Sequence, residues 1–160
     1  MLERVGHRNM KIQRKEQGFT IVELLIVIVV IGILAGLVIT TFTGIQQKAR
    51  NTERQTDIKA IQALLEAYNA QSGYYPTLAN MNDSAFRSAN LKGLDGDALA
   101  DPKVPGTQAL VATPAANAYS YQVFQSDGTT ACTNAAGAEC AVWTLTATYE
   151  GGGTFVKKNN

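Results

Sequence analysis

Four small groups of residues are of a type and spacing that could do chemistry. Glu23 is the only charged residue between Ile21 and Ile39, in a run that is otherwise apolar. A carboxylate in such a run needs a partner or a route to water, and in lipid it marks a functional position. Cys132 and Cys140 are the only cysteines, a pair that fits either one disulfide or two free thiols according to the redox compartment. Asp95, Asp97 and Asp101 offer closely spaced oxygen ligands of the kind calcium takes. The complete Asp-x-Asp-x-Asp-Gly loop with its distal bidentate Glu is missing, so a solvated acidic turn is the simpler reading of these three. His7 is the only histidine and sits in a polar, charged N-terminal stretch, which is no setting for catalysis or metal binding.

Enzyme classes find little support. The chain has no Gly-x-Ser-x-Gly, phosphate-loop or dinucleotide fingerprint, and a zinc site would need more ligands than two cysteines. No cofactor is expected. The formal charge of +1 hides an asymmetry: Arg4, Arg8, Lys11, Arg14 and Lys15 against Glu3 and Glu16 give +3 before Gly18, leaving −2 for the rest. A basic cluster directly before an apolar segment holds that end in the cytoplasm. No aromatic residues interleave with it for base stacking, and Arg87, Lys92, Lys103, Lys157 and Lys158 are scattered among more numerous acids. Nucleic-acid binding is therefore not indicated.

These residues must be positioned by a small set of elements. The run from Ile21 to Ile39 is long enough to cross a bilayer, which takes about 20 residues of helix. A secretory signal peptide would have a shorter apolar part ending in small residues, whereas Gly32, Ala35 and Gly36 are followed by more apolar positions. From Phe19 to about Ser72 there is no proline, which predicts one helix roughly 80 Å long. Gly32, Gly36 and Gly44 each lower helix propensity by about 1 kcal/mol relative to Ala, and equally permit close helix approach. Thr40, Thr41 and Thr43 predict a softer segment without a sharp kink. Beyond Gly44, Ile58, Ile61, Leu64, Leu65 and Tyr68 recur at spacings of three and four, while Lys48, Arg50, Glu53, Arg54, Asp57 and Lys59 occupy other positions. This is an amphipathic pattern with the charges read as a solvated face. Gly73 and Pro76 then stop the helix, one as a left-handed cap and the other by lacking a donor.

The stretch 77–117 reads as a long loop with one short helix near Asp83 to Ala89. Tyr119 to Gln125, Val142 to Tyr149 and Thr154 to Lys157 read as strands, with Trp143, Leu145, Ala147 and Tyr149 facing a core and Val142, Thr144, Thr146 and Thr148 facing solvent. The expected fold is α+β: a long N-terminal helix, membrane-spanning in its first half and amphipathic in its second, packed on a small antiparallel sheet of about three strands. The expected divisions are a leader at 1–18, a transmembrane helix at 19–43, its amphipathic continuation at 44–75 and a small C-terminal domain at 76–160. Behind a membrane segment that sends this domain out of the cytoplasm, Cys132 and Cys140 read as a disulfide, with two free thiols as the alternative. Such a bond would add about 2 to 3 kcal/mol.

The segment Gly18-Phe19-Thr20-Ile21-Val22-Glu23-Leu24-Leu25-Ile26-Val27-Ile28 resembles the prepilin signature of the type IV pilin superfamily, which includes the pseudopilins of type II secretion. The signature combines a Gly, an aromatic, a single Glu and a long apolar segment in fixed order. The resemblance implies cleavage between Gly18 and Phe19 by a prepilin peptidase on the cytoplasmic face, N-methylation of Phe19, and a role in assembly for Glu23. The stretch Met10 to Gly18 is similar to common prepilin leaders, so translation from Met10 is an alternative to Met1. The likeness continues at lower specificity to Gly73-Tyr74-Tyr75-Pro76-Thr77. Asp101-Pro102 followed by Tyr119-Ser120-Tyr121 is similar to an arrangement in many major pseudopilins, although the Trp and Gly that usually follow the Asp-Pro are missing.

What the resemblance implies is a structural subunit, stored in the cytoplasmic membrane with its leader inside and later polymerised through its N-terminal helix into an envelope or extracellular filament. The implied partners are other copies of the chain, related minor pilins, the peptidase, an assembly platform and an ATPase. A secretion pseudopilin is one alternative, and a minor pilin for adhesion or DNA uptake another.

Overall fold

Helix α1 runs from Ile21 to Ser72 in a computed structural model that describes residues 18–159. The leader residues before Gly18, with His7 and the alternative start Met10, lie outside the described residues. The helix passes without interruption through the glycines and threonines of its middle, where Thr40 and Thr41 each donate their hydroxyl to the Leu37 carbonyl at 3.0 Å. Such back-bonding satisfies a threonine hydroxyl where no water is at hand. Gly73 ends the helix with φ +81° and a 2.7 Å bond from its N–H to the Asn69 carbonyl, the left-handed cap that glycine adopts without a Cβ penalty.

The chain forms two compact units, one ending at Phe42 and the other beginning at Thr43. In the first, every described residue is exposed, and the large apolar side chains from Ile21 to Phe42 stand 48–86 % exposed. A helix that is apolar all round matches a membrane span or a packed bundle and not a water-facing surface. By length and composition it is able to cross a membrane.

In the second unit, Ile58, Ile61, Leu65 and Tyr68 are buried, as the spacing of three and four requires, while Leu64 is half-buried at the border of the stripe. They share a core with Tyr119 and Tyr121 of β1 (Tyr119–Phe124) and with Trp143, Leu145 and Ala147 of β2 (Val142–Thr148). Full burial of each Ile or Leu contributes about 1.5 to 3 kcal/mol. Strand β3 (Thr154–Lys158) completes a three-stranded antiparallel sheet in the order β1-β2-β3. Its register sets Tyr121 opposite Leu145 and Ala147 opposite Phe155. This is the expected α+β fold. Two details of the alternation differ: Thr146, on the face expected to be solvated, is only 6 % exposed, and Tyr149 is half-buried. Next to Thr146 in the sheet lies Ser120, also buried, whose own strand is bridged by Val111.

The stretch expected to be mostly loop contains more structure than its composition indicated. Helix α2 (Leu78–Asn82) starts at a capping box in which Thr77 and Asn80 satisfy each other's backbone N–H groups, a Thr-x-x-Asn relative of the Thr-x-x-Glu device. Helix α3 (Ser84–Asn90) follows, capped by Asp83, and a 3-10 turn covers Gly96–Leu99. Met81, Leu91, Leu99 and Leu110 from this region enter the core. They carry no recognisable period because each comes from a different short element.

Candidate functional site

At the N-terminal end, Gly18, Phe19 and Thr20 are non-helical and exposed, and α1 begins immediately after them. Thr20 is the cap. Its hydroxyl oxygen accepts the Glu23 N–H at 3.2 Å, while Glu23 Oε2 accepts the Thr20 N–H at 2.8 Å and the Thr20 hydroxyl at 2.6 Å. This is a reciprocal capping box, Thr-x-x-Glu, in which two backbone donors that a helix start leaves unsatisfied are each given an acceptor. The negative charge also lies at the positive end of the helix dipole. The spacing was visible in the sequence, but the single carboxylate drew the reading towards lipid and partners and the capping signature was missed. Phe19, Glu23, Leu24, Ile26 and Val27 line an open apolar groove beside this box. Phe19 itself is 88 % exposed.

Within the second unit a polar clamp ties two distant segments to one face of α1. Arg54, fully buried, donates Nε to Asp101 Oδ2 at 2.7 Å and Nη2 to Asp101 Oδ1 at 2.8 Å. The same guanidinium reaches Glu150 Oε1 at 3.2 Å from both Nη1 and Nη2, and Asn51 Oδ1 at 2.7 Å. Arg50 grips the other side of Glu150 with Nε to Oε1 at 2.6 Å and Nη2 to Oε2 at 2.7 Å. The Glu150 backbone is held as well, its carbonyl by Gln47 and Asn51 and its N–H by Asn51 Oδ1. Two fork-to-carboxylate pairs on one helix fix direction as well as distance.

The Arg50 hydrogen bonds, with help from Arg54 and Lys103, hold the Glu150 carboxyl down at about 2 from its ordinary 4.5. Arg54 is raised above its usual range, chiefly by its bonds to Asp101. Burial pushes Asp57 up, against the opposing effect of the Tyr119 hydroxyl that donates to it at 2.7 Å.

The reading of Arg54 as part of a solvated face is thus corrected: it lies four residues before Ile58 and continues the buried stripe. Only a carboxylate brought in from far along the chain makes that burial possible. Asp101, named as a weak calcium candidate with Asp95 and Asp97, is committed to Arg54 and to the Lys103 N–H. Asp95 caps the 3-10 turn by accepting the Asp97 N–H, and Asp97 accepts the Gln108 amide at 3.0 Å. Among the described residues no three His, Cys, Asp or Glu side chains come together in a way that could hold a metal.

Cys132 and Cys140 form a disulfide, with Cα atoms 5.1 Å apart. The loop it closes is fastened to the end of the helix. Asn134, at φ +60°, donates to the Tyr75 carbonyl at 2.9 Å and accepts the Cys140 N–H at 2.8 Å, and the Tyr75 N–H donates to the Cys140 carbonyl at 2.8 Å.

Comparison with known proteins bears on the N-terminal segment first. Residues 13–39 match the family described as the prokaryotic N-terminal methylation motif. The chain is 38 % identical over 85 residues to the type II secretion system core protein G of Escherichia coli (strain K12), covering 53 % of this chain and 59 % of that protein. It is 40 % identical over 68 residues to the protein of the same name from Vibrio cholerae serotype O1, covering 42 % and 47 %. With that of Dickeya chrysanthemi the identity is 37 % over 65 residues, covering 41 % and 42 %. The chain is thus similar, over about half of its length, to proteins named as type II secretion system core protein G, and it carries the N-terminal methylation motif. It spans about half the length of the curated relatives it matches. No solved structure matches this chain.

Proposed function

We propose that this chain is a structural subunit of a type IV pilus-like filament, cut between Gly18 and Phe19, methylated on Phe19 and polymerised through the first half of α1. The observation that carries this reading is the exposed apolar helix from Ile21 to Phe42, whose one charge, Glu23, lies a few residues after a Gly-Phe step. Before assembly such a surface belongs in lipid. After assembly the same surface is covered by other copies of the helix.

In this scheme the chain is not an enzyme, and its processing and assembly are the work of a prepilin peptidase, a platform protein and an ATPase. The leader stays in the cytoplasm and the second unit lies on the far side of the membrane. Cleavage creates an amine on Phe19, and the Glu23 carboxylate, bonded among the described residues only to Thr20, is the group that receives the amine of a neighbouring copy. A second reading, favoured by the similarity to type II secretion system core protein G, is that the filament is a secretion pseudopilus.

Glu23→Ala tests the assembly role. The variant is expected to insert into the membrane and to be lost from sheared filaments, and normal filaments built from it sink the proposal. Mass spectrometry of mature subunits checks the processing claim separately, with methylated Phe19 as the expected N-terminus. A different N-terminus removes it.

A further inference from the structure

Arg87 stands apart from the other buried cation of this fold. It is only 8 % exposed, yet among the described residues no carboxylate lies within ion-pair distance of it. Its one side-chain bond among the described residues runs from Nη1 to the Met81 carbonyl at 2.7 Å, which leaves the remaining donors of a five-donor group without an acceptor among them. None of those donors is sealed from solvent, so they open towards the surface, where an anion can reach them. Arg54, with its two carboxylates, shows how this same fold treats a buried arginine when the protein supplies the anion.

Arg87 forms part of the wall of an open cleft of about 440 Å³, together with Ser84, Ser88, Lys92, Gly93 and Gln108. Lys92 brings a second positive charge. Ser84 offers a hydroxyl with no bond of its own among the described residues, and Gln108 lies where a Cβ on Gly96 would collide with its amide. Asp97 holds the Gln108 amide from the far side, so the cleft combines two cations with one carboxylate at its edge. That balance favours one negative charge inside the cleft, with any second one kept outside it. The remaining lining groups are two hydroxyls, an amide, two glycines and the apolar side chains of Leu91 and Leu94, a mixed wall that suits the polar edge and apolar face of a single sugar ring.

We propose that this cleft binds a hydroxylated mono-anion of monosaccharide size, a sugar carrying a carboxylate, with Arg87 as the fork that receives the carboxylate and Lys92 as its electrostatic support. An arginine matches a carboxylate with two parallel N–H bonds, and its partial burial strengthens them. This assignment is independent of the filament reading, since none of its residues belongs to the first half of α1.

The test is a titration of the full-length chain in neutral detergent micelles, read by the Arg87 Nε–H and Gly93 N–H resonances. D-glucuronate is expected to give saturable shifts, and glucose at the same concentrations none. Arg87→Met should weaken glucuronate binding by roughly 10- to 100-fold, the usual loss for a hydrogen bond to a charged group. Because that variant also loses the bond to Met81, Lys92→Gln serves as a second probe at an exposed position, with an expected loss of about two- to fivefold. Absence of saturable shifts with glucuronate, unchanged affinity in a folded Lys92→Gln or Arg87→Met protein, or tighter binding of inorganic phosphate than of glucuronate overturns the proposal. Digalacturonate distinguishes the two sources of such a ligand: a tenfold gain over the monosaccharide points to the end of an acidic polysaccharide, and equal affinity to a free sugar acid.

Discussion

Between Ile21 and Phe42 helix α1 carries one charge, Glu23, and bonds it within its own first turn. Between Thr43 and Ser72 the same helix buries Arg54 completely and surrounds it with carboxylates from positions 47 and 96 residues away. The first solution is local, so it leaves all the apolar surface around it uncommitted. The second is long-range, so it cannot form unless the segment at Asp101 and the β2–β3 turn are already in place. One helix thus contains a part whose polar needs make no demand on the tertiary fold and a part whose polar needs define it.

The largest effect that can break this contrast lies at the clamp. Arg54→Met leaves Asp101, whose side chain is 1 % exposed, as an unpaired buried carboxylate, and about 3 to 5 kcal/mol of stability should be lost. Denaturant unfolding of the full chain in detergent, followed by Trp143 fluorescence, measures it. Arg54→Met combined with Asp101→Leu should recover much of the loss, and a double variant no better than the single one would show that the pair matters for more than charge. Replacement of Cys132 and Cys140 by Ser should cost about 2 to 3 kcal/mol, seen by the same unfolding and matched by reduction of the parent protein.

Acid gives a third, graded effect. Glu150 has an ordinary value of 4.5 and is held at about 2 in the folded chain. A carboxyl depressed in this way contributes stability that is complete above about pH 4.5 and fades as pH falls through about 2. The stability difference between the parent and Glu150→Gln should therefore be full at neutral pH and shrink across that window. A difference that stays constant down to pH 2 contradicts the Arg50 and Arg54 pairing. The smallest effect belongs to the local solution: Thr20→Ala removes the cap and should cost about 1 kcal/mol of helix stability, visible as faster amide exchange in the first turn of α1 with no change at Ile58 or Leu65.

Much of the architecture is legible in residue order because it rests on period. The stripe from Ile58 to Tyr68 and the alternation in Val142–Thr148 each repeat often enough to identify a helix face and a strand face, and the glycine after Ser72 marks the helix end. The clamp is another matter. Nothing around Asp101 or Glu150 indicates that either meets α1, since the meeting depends on the path of the loop after the 3-10 turn and on Gly151, Gly152 and Gly153, all at φ between +86° and +102°. Arg54 was legible in part, for its spacing from Ile58 places it on the buried face, but a charged residue at such a position reads as surface until its partner is known. The Thr20–Glu23 box stood in plain view as a four-residue pattern. It was obscured because the same Glu answered to a second, more specific signature.

That box also decides where the helix begins. With Thr20 as its cap, the backbone of Gly18 and Phe19 remains outside the helical hydrogen-bond ladder and exposed, the condition in which a peptide bond is open to a protease. A helix that started one turn earlier would enclose the Gly18–Phe19 bond in its own first turn and withdraw it from any extended substrate groove. Thr20 therefore acts as a boundary stone as much as a stabiliser: it keeps the Gly18–Phe19 bond on the unwound side of the line and the apolar run on the wound side.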